Sequence, residues 1–183
     1  MAMRRVGDVF LADNAVVSAD VTLGPGVSVW YGAVIRGDVA PVRVGEWTNF
    51  QDGVIVHCDY GIANEIEDHV VVGHAAVLHG RRVGARSLIG IGAKLLGRSE
   101  IGPECVVAAG SVVPPGMIVP PRSVVMGVPA KVIRSVRPEE LEYTLSVARR
   151  YRELAERYAA GEISWPYGRP VAERGLAAHT PCE

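Results

Sequence analysis

A six-residue repeat runs through most of the chain and constrains its fold more than any other feature. Aliphatic or aromatic residues recur at one position in six, first as Leu11, Val17, Leu23, Val29 and Ile35, and then as Val44, Phe50 and Val56. The repeat resumes for ten consecutive occurrences, at Val71, Val77, Val83, Ile89, Leu95, Ile101, Val107, Val113, Val119 and Val125. An α-helix has a period of 3.6 and a lone strand a period of 2. A period of six predicts an all-β chain wound into a parallel β-helix, with one flat face per repeat.

The length of the repeat region sets the number of coils. Three faces per coil require about 18 residues, so residues 11–131 predict six to seven coils. Each coil buries its inner side against its neighbours, and stability accumulates along the stack. The scarcity of aromatic residues, at 6%, and the abundance of glycine, at 21 residues, suit a Val and Ile core with frequent turns.

A helix is predicted where the repeat stops. Pro129 ends the strand pattern, and a helix is expected over residues 138–160 because Pro138 suits a first turn, where Glu139 and Glu140 complement the helix dipole. Its apolar stripe must pack on the side of a β-helix, either its own or that of a neighbouring subunit. The predicted organisation is a β-helix domain over residues 1–135, a packed helix over 136–161, and an extended or partly disordered tail over 162–183.

Charge and cysteine content exclude several functional classes. The formal net charge of −1 provides no electrostatic attraction for nucleic acid or an anionic membrane. No apolar run is long enough to span a bilayer, and the N-terminus lacks the apolar region of a secretory signal. The three scattered cysteines, Cys58, Cys105 and Cys182, favour a reducing compartment, and we predict the cytoplasm.

Three histidines interrupt the repeat and need a chemical explanation. Val56 and Val71 are separated by three residues more than two repeats require, which predicts a small loop between them. With that loop set aside, His57 and His79 lie one coil apart on one edge, and His74 lies near another edge. Three imidazoles with one open position are typical of a catalytic zinc site. A three-fold assembly would complete it, with two ligands from one chain and one from its neighbour. The other two histidines, His69 and His179, are expected to be exposed.

The segments VIRGDVAPVRVGEWTNFQDGVIVH and VGHAAVLHG resemble the gamma class of carbonic anhydrases and their hexapeptide-repeat relatives, over roughly residues 8–135. The resemblance implies a left-handed β-helix and a homotrimer that hydrates CO2 reversibly to bicarbonate with a zinc-bound hydroxide. It implies that the zinc ligands are His57, His74 and His79, although iron or cobalt would suit the same ligands. It also implies that Gln51 orients the metal-bound water. The remaining implied site residues are Asn49, beside the hydroxide or bicarbonate, and the charged set at the subunit contact, Arg36, Asp38 and Asp52.

Two other functions remain open on the sequence. Relatives from phenylacetate and carnitine pathways resemble the chain as closely, so an acyl-CoA thioesterase or acyltransferase on the same scaffold is one alternative. A non-catalytic trimeric assembly subunit is the other. Arg36 and Asp38 could equally form a structural ion pair at an interface. The long acidic loop of the best-known gamma-class members is absent, and nothing in the sequence aims the acidic residues of the short loop, Asp59, Glu65, Glu67 and Asp68, at the metal.

Overall fold

Most six-residue repeats fold as a two-residue strand followed by a turn. The computed structural model describes residues 2–163, so residues 164–183 of the predicted tail, with His179 and Cys182, lie outside the described residues. The strands in chain order are β1 (Met3–Val6), β2 (Val9–Ala12), β3 (Val16–Leu23), β4 (Ser28–Val29), β5 (Val34–Val44), β6 (Asn49–Phe50), β7 (Ile55–Val56), β8 (Asn64–Ile66), β9 (Val71–Val72), β10 (Val77–Leu78), β11 (Arg82–Val83), β12 (Leu88–Ile89), β13 (Lys94–Leu95), β14 (Glu100–Ile101), β15 (Val106–Val107), β16 (Val112–Val113), β17 (Ile118–Val119), β18 (Ser123–Gly127) and β19 (Ala130–Ser135).

The strands build a three-sided parallel β-helix of about six turns, as the period predicted. Face A carries β2, β4, β6, β9, β12, β15 and β18, with β1 and β19 added antiparallel at its two ends. Face B carries the first parts of β3 and β5, then β7, β10, β13 and β16; face C carries the second parts of β3 and β5, then β8, β11, β14 and β17. The edges between faces are called edge AB, edge BC and edge CA.

The register around the loop differs from the sequence prediction by one residue. Val72 pairs with Phe50, and Leu78 pairs with Val56, so Val72 and Leu78 point inward in place of the predicted Val71 and Val77. Val56 and the next inward residue, Ile66, are ten positions apart, which is four more than one repeat. The inward residues Leu78 and Val83 are five positions apart, which is one fewer than a repeat. Consecutive valines at 70–72 made the register ambiguous, because an aliphatic residue stood at each candidate position.

The C-terminal helix packs on the chain's own face A. Helix α1 spans Pro138–Ala159 and buries Thr144, Val147, Ala148 and Ala155. Its last turns pack on Trp30, whose ring meets those of Tyr151 and Tyr158 edge-on at centroid distances of 5.2 and 5.6 Å. In the part of the chain that the structure describes, no helix combines the length and apolar content needed to cross a bilayer.

Candidate metal centre

His57 and His79 lie on edge BC at equivalent positions of adjacent coils. His57 directly follows β7 and His79 directly follows β10, two strands that pair in parallel with Val56 opposite Leu78. The backbone N–H of His57 donates to the carbonyl of Leu78 at 3.1 Å, which fixes the stacking. The ring centroids are 5.3 Å apart, and Nδ1 of His57 lies 3.3 Å from Nε2 of His79. The predicted one-coil separation of these two histidines is therefore what the structure has.

The outer nitrogen of each of these two rings faces an aspartate. Nε2 of His57 lies 3.0 Å from Oδ1 of Asp38, and Nδ1 of His79 lies 3.5 Å from Oδ1 of Asp59. An ionised carboxylate only accepts hydrogen bonds, so Asp38 favours the hydrogen on Nε2 of His57, and Asp59 faces Nδ1 of His79 at a longer ion-pair distance. When both outer nitrogens donate to these carboxylates, the two inner nitrogens face each other with lone pairs. That arrangement suits a cation or a shared proton between them.

The spacing of the two inner nitrogens fits a shared metal ion. Two imidazole nitrogens bound tetrahedrally to zinc at about 2.0–2.1 Å would be about 3.3–3.4 Å apart. The observed separation of 3.3 Å matches that value. Among the described residues, however, no three His, Cys, Asp or Glu side chains converge as a cation site. One chain therefore brings together two of the predicted ligands and keeps the third elsewhere.

The charged pair next to His57 is formed within the chain. Arg36 pairs with Asp38, and both stand in β5, one coil before His57. The hydrogen bond from His57, followed by the one from the Arg36 guanidinium, holds the pKa of Asp38 below its ordinary value. Asp38 is therefore ionised over the whole neutral range and available to accept from both neighbours.

The other predicted site residues lie on or beside edge AB. His74 stands in the turn after β9, and its Nδ1 lies 3.0 Å from Oδ2 of Asp52, one coil before it. Gln51 and Asn49 flank the inward Phe50 and are 5% and 2% exposed. Nε2 of Gln51 donates to Oδ1 of Asn49 at 3.3 Å, while Nδ2 of Asn49 has no hydrogen-bond partner among the described residues.

The candidate residues therefore form two half-sites on different edges. Edge BC holds one half-site, made of Arg36, Asp38, His57 and His79. Edge AB holds the other, made of Asn49, Gln51, Asp52 and His74. Asp52 does not join Arg36 and Asp38 within one chain, because it pairs with His74.

The sequence prediction gave no role to three residues that lie around the histidines. The hydroxyl of Tyr151 on α1 lies 3.3 Å from Nε2 of His74. Burial, then the nearby charge of Asp52, raise the pKa of Tyr151, so this hydroxyl is protonated at neutral pH. It donates to Nε2 when the hydrogen of the His74 ring is on Nδ1, beside Asp52. The second residue is Asp59, beside Nδ1 of His79, and the third is Asn64, which bonds to the carbonyl of His57. No sequence pattern relates Tyr151 to His74, which is 77 residues away.

Asn64 ties the two coils of edge BC together. Its Nδ2 donates to the carbonyl of His57 at 2.9 Å and to the carbonyl of Leu78 at 3.1 Å. Asn64 is 1% exposed, so this bridge is shielded from water. It fixes the backbone on either side of the two facing imidazoles.

His69 is not the isolated exposed residue that the sequence suggested. It is half-buried on edge CA, and its ring stacks on Trp47 with a centroid distance of 5.9 Å and an interplanar angle of 7°. Its environment is an aromatic stack beneath α1, away from both half-sites.

Relatives that include the following three resemble the chain over most of its length, while no family model matches it. Gamma carbonic anhydrase 2, a mitochondrial protein of Arabidopsis thaliana, is 40% identical over 92% of this chain, which spans 63% of that protein. A probable carbonic anhydrase of Methanocaldococcus jannaschii is 42% identical over 81% of this chain and 94% of its own. The carnitine operon protein CaiE of Salmonella agona is 35% identical over 84% of this chain and 78% of its own.

Solved structures of hexapeptide-repeat transferases share the fold. A hexapeptide transferase family protein from Anaplasma phagocytophilum superposes with a TM-score of 0.79 at 35% identity, over 84% of this chain and 90% of its own. A variant of perosamine N-acetyltransferase from Caulobacter crescentus, in complex with CoA and GDP-perosamine, has a TM-score of 0.61 at 30% identity, over 69% of this chain and 57% of its own.

Proposed function

The chain belongs to the gamma-class carbonic anhydrase-like family of hexapeptide-repeat proteins, and we propose that it is a zinc-dependent carbonic anhydrase whose sites are shared between subunits of a homotrimer. The observation that carries this proposal is the pair of inner nitrogens on His57 and His79. They face each other at 3.3 Å, with both outer nitrogens against aspartates. That donor set suits a cation and leaves room for a third imidazole and a water.

Bound zinc would supply a water that ionises near pH 7 and can attack CO2. The residues of this chain would then have distinct tasks. His57 and His79 would bind the metal from one subunit, and His74 would bind it from the next. Gln51 would orient the attacking oxygen. The unpartnered Nδ2 of Asn49 would donate to the oxygen of bicarbonate. Iron or cobalt would bind the same three imidazoles, and zinc is proposed because three His ligands with an open position are its usual catalytic set.

The surface of the β-helix supports the trimeric arrangement. The outward residues of face B are mostly apolar and uncovered: Val16, Val34, Ile55, Val77, Lys94 and Val112, with Val16 and Ile55 at 49% and 45% exposure. Face A is covered by α1, and the outward residues of face C are mostly polar or charged: Thr22, Arg43, Glu65, Arg82, Glu100 and Ile118. Face B lies between edge AB and edge BC. A closed ring that joins unlike edges would turn face B toward the three-fold axis and bury it.

Asp38, Arg36 and Asp52 would act at the same contact. Joining edge BC of one subunit to edge AB of the next brings the Arg36–Asp38 pair of one chain to the His74–Asp52 pair of the other. Arg36 would then bridge two carboxylates across the interface. Its role in this proposal is to hold the two half-sites in register.

One observation favours acyl transfer as a second candidate function. His74 and Asp52 form a dyad at 3.0 Å, the arrangement in which a carboxylate orients a general-base histidine. The fold is shared with the transferases described above. A panel of acyl-CoA thioesters tests this candidate, and it fails if no hydrolysis or transfer is detected that depends on His74.

Measurement of CO2 hydration by stopped flow on the zinc-loaded protein tests the main proposal. We expect activity that tracks zinc content and is lost in His79→Ala and His57→Ala. His69→Ala serves as the matched control, because His69 stacks on Trp47 far from both half-sites. A fully metallated wild-type protein with no hydration above background would overturn the carbonic anhydrase assignment. The acyl-transfer and assembly-subunit alternatives would then remain.

A further inference from the structure

The short loop between β7 and β8 folds back over edge BC at the level of His79. It contains the four residues by which this interval exceeds one repeat. Two hydrogen bonds fix its backbone: the N–H of Gly61 donates to the carbonyl of Val39 in β5 at 3.1 Å, and within the loop the N–H of Ile62 donates to the carbonyl of Asp59 at 3.0 Å. The insertion therefore has a defined conformation that directs Asp59 along the edge.

The carboxylate of Asp59 extends past the coil of His79 to the following coil, where it rests on Gly97. A Cβ placed on Gly97 would lie 2.6 Å from Oδ2 and 3.1 Å from Oδ1 of Asp59. No real Cβ approaches an oxygen so closely, so a side chain at Gly97 and this position of the carboxylate exclude each other. The φ of Gly97 is not positive, so glycine is not needed here for its backbone conformation. It is needed because the carboxylate of Asp59 occupies the space of a side chain.

The position of Asp59 determines how the ring of His79 is held. Nδ1 of His79 lies 3.5 Å from Oδ1 of Asp59, on the opposite side of the ring from the nitrogen that faces His57. A carboxylate that faces Nδ1 favours the tautomer with the hydrogen on that nitrogen, which leaves the lone pair on Nε2 for the metal position. Asp38 does the same for His57 from β5, one coil before it, and the loop supplies Asp59 from the coil before His79.

We propose that the loop insertion exists to place Asp59 as the positioning residue of the metal ligand His79, with Gly97 as the cradle that admits it. The inference rests on the proposed metal site, and it adds a residue pair, Asp59 and Gly97, that acts through His79. Asp59 does not bind the metal, and Gly97 touches neither histidine ring.

Zinc affinity, measured by chelator competition, tests the proposal with four variants. Asp59→Ala is expected to weaken binding by about 10- to 100-fold, the usual effect of losing such a partner. Gly97→Ala should weaken it by a smaller factor, still above about twofold, because the carboxylate can shift away from the added Cβ. In the Asp59→Ala background Gly97→Ala should add less than about twofold, because no carboxylate is left to displace. Glu65→Ala, which removes an exposed carboxylate from β8, is the matched control and should bind like the wild type. Circular dichroism melts establish that each variant is folded.

A second readout separates this inference from the proposed function. Nitrogen-15 NMR of the metal-free protein reports which ring nitrogen of His79 carries the hydrogen. We expect Nδ1 in the wild type and a shift toward Nε2 in Asp59→Ala and Gly97→Ala. If the wild type binds no zinc, the proposed function fails, and the NMR comparison still decides the role of Asp59. Wild-type zinc affinity in both single variants, or hydrogen on Nε2 in the wild type, would overturn the inference.

Discussion

At the residue scale, each of the three candidate ligands has its own aspartate. Asp38 holds His57, Asp59 holds His79, and Asp52 holds His74, at nitrogen–oxygen distances of 3.0, 3.5 and 3.0 Å. A carboxylate on one side of each ring favours the tautomer whose lone pair lies on the opposite nitrogen. The sequence indicated Asp38 and Asp52 through resemblance but gave no reason to choose Asp59 over the other acidic residues of its loop. The choice depends on a loop conformation and on the space above Gly97, and neither has a sequence signature.

The free lone pair of His74 is occupied in the isolated chain by Tyr151. A metal ion would have to displace the Tyr151 hydroxyl from Nε2, and such a hydrogen bond has a net value of about 0.5–1.5 kcal/mol. We therefore expect Tyr151→Phe to tighten zinc binding by about two- to tenfold, measured by chelator competition. Tyr143→Phe is the control, because Tyr143 lies on the same helix and is 57% exposed. Weaker binding in Tyr151→Phe would mean that the hydroxyl supports the metal-loaded site.

At the element scale, α1 begins with a charged cluster around Glu140. Its carboxylate accepts from the N–H of Arg137 at 2.9 Å and from both terminal nitrogens of Arg134 at 2.7 Å. The cluster joins the helix start to β19, so it sets where the helix leaves the β-helix. The bonds from Arg134 and then from the Arg137 backbone lower the pKa of Glu140 to about 2. The sequence predicted an acidic first turn but not the arginine of the preceding strand.

Glu140→Gln should reduce the free energy of unfolding in a pH-dependent way. The folded-state pKa lies below the ordinary value, so the stabilisation is complete above about pH 5 and is lost as the pH falls toward 2. We expect a difference of about 1–2 kcal/mol from the wild type at pH 7 that shrinks below pH 4, measured by denaturant unfolding. Glu139→Gln is the control, since its partner is 3.6 Å away and its side chain is 66% exposed. A difference that stays constant from pH 7 to pH 3 would contradict the assignment.

At the scale of the whole molecule, the three faces of the β-helix differ in what covers them. Face A is covered by α1 and face C is mostly polar or charged, so among the three faces of the described residues face B is the one with mostly apolar outward residues and no covering element. It borders both half-sites. An assembly that is stabilised by burial of face B would therefore also bring the two half-sites together.

Ile55→Lys should convert the assembly to monomers. It places a charge at the centre of face B without touching the inner core, because Ile55 points outward at 45% exposure. We expect a folded chain of monomeric mass in light scattering, with zinc content well below that of the wild type. Ile118→Lys makes the same substitution at an outward position of face C, where Ile118 is 70% exposed, and should leave mass and zinc unchanged. An Ile55→Lys protein of wild-type mass would exclude face B as the interface.

Mixing two inactive variants tests whether the sites are shared. His74→Ala keeps edge BC intact, and His79→Ala keeps edge AB intact. If sites form between these edges, an equimolar mixture refolded together should recover about one quarter of the wild-type zinc content, with hydration activity to match. Each variant refolded alone should recover neither. A mixture no better than its components would place all three ligands within one chain or remove His74 from the site.

The sequence by itself determined the architecture, because a period of six leaves a β-helix as the only regular fold that buries one residue per repeat. It also determined that His57 and His79 share an edge and that His74 does not, since edge position follows from counting along the repeat. The tertiary structure decided the register near Val72 and Leu78, where neighbouring aliphatic residues are equivalent in hydrophobicity but only one can pair with Phe50 or Val56. It also decided which carboxylate meets each imidazole and that Tyr151 reaches His74. Those contacts join residues from different coils and the helix, so they depend on packing distances that no local pattern encodes.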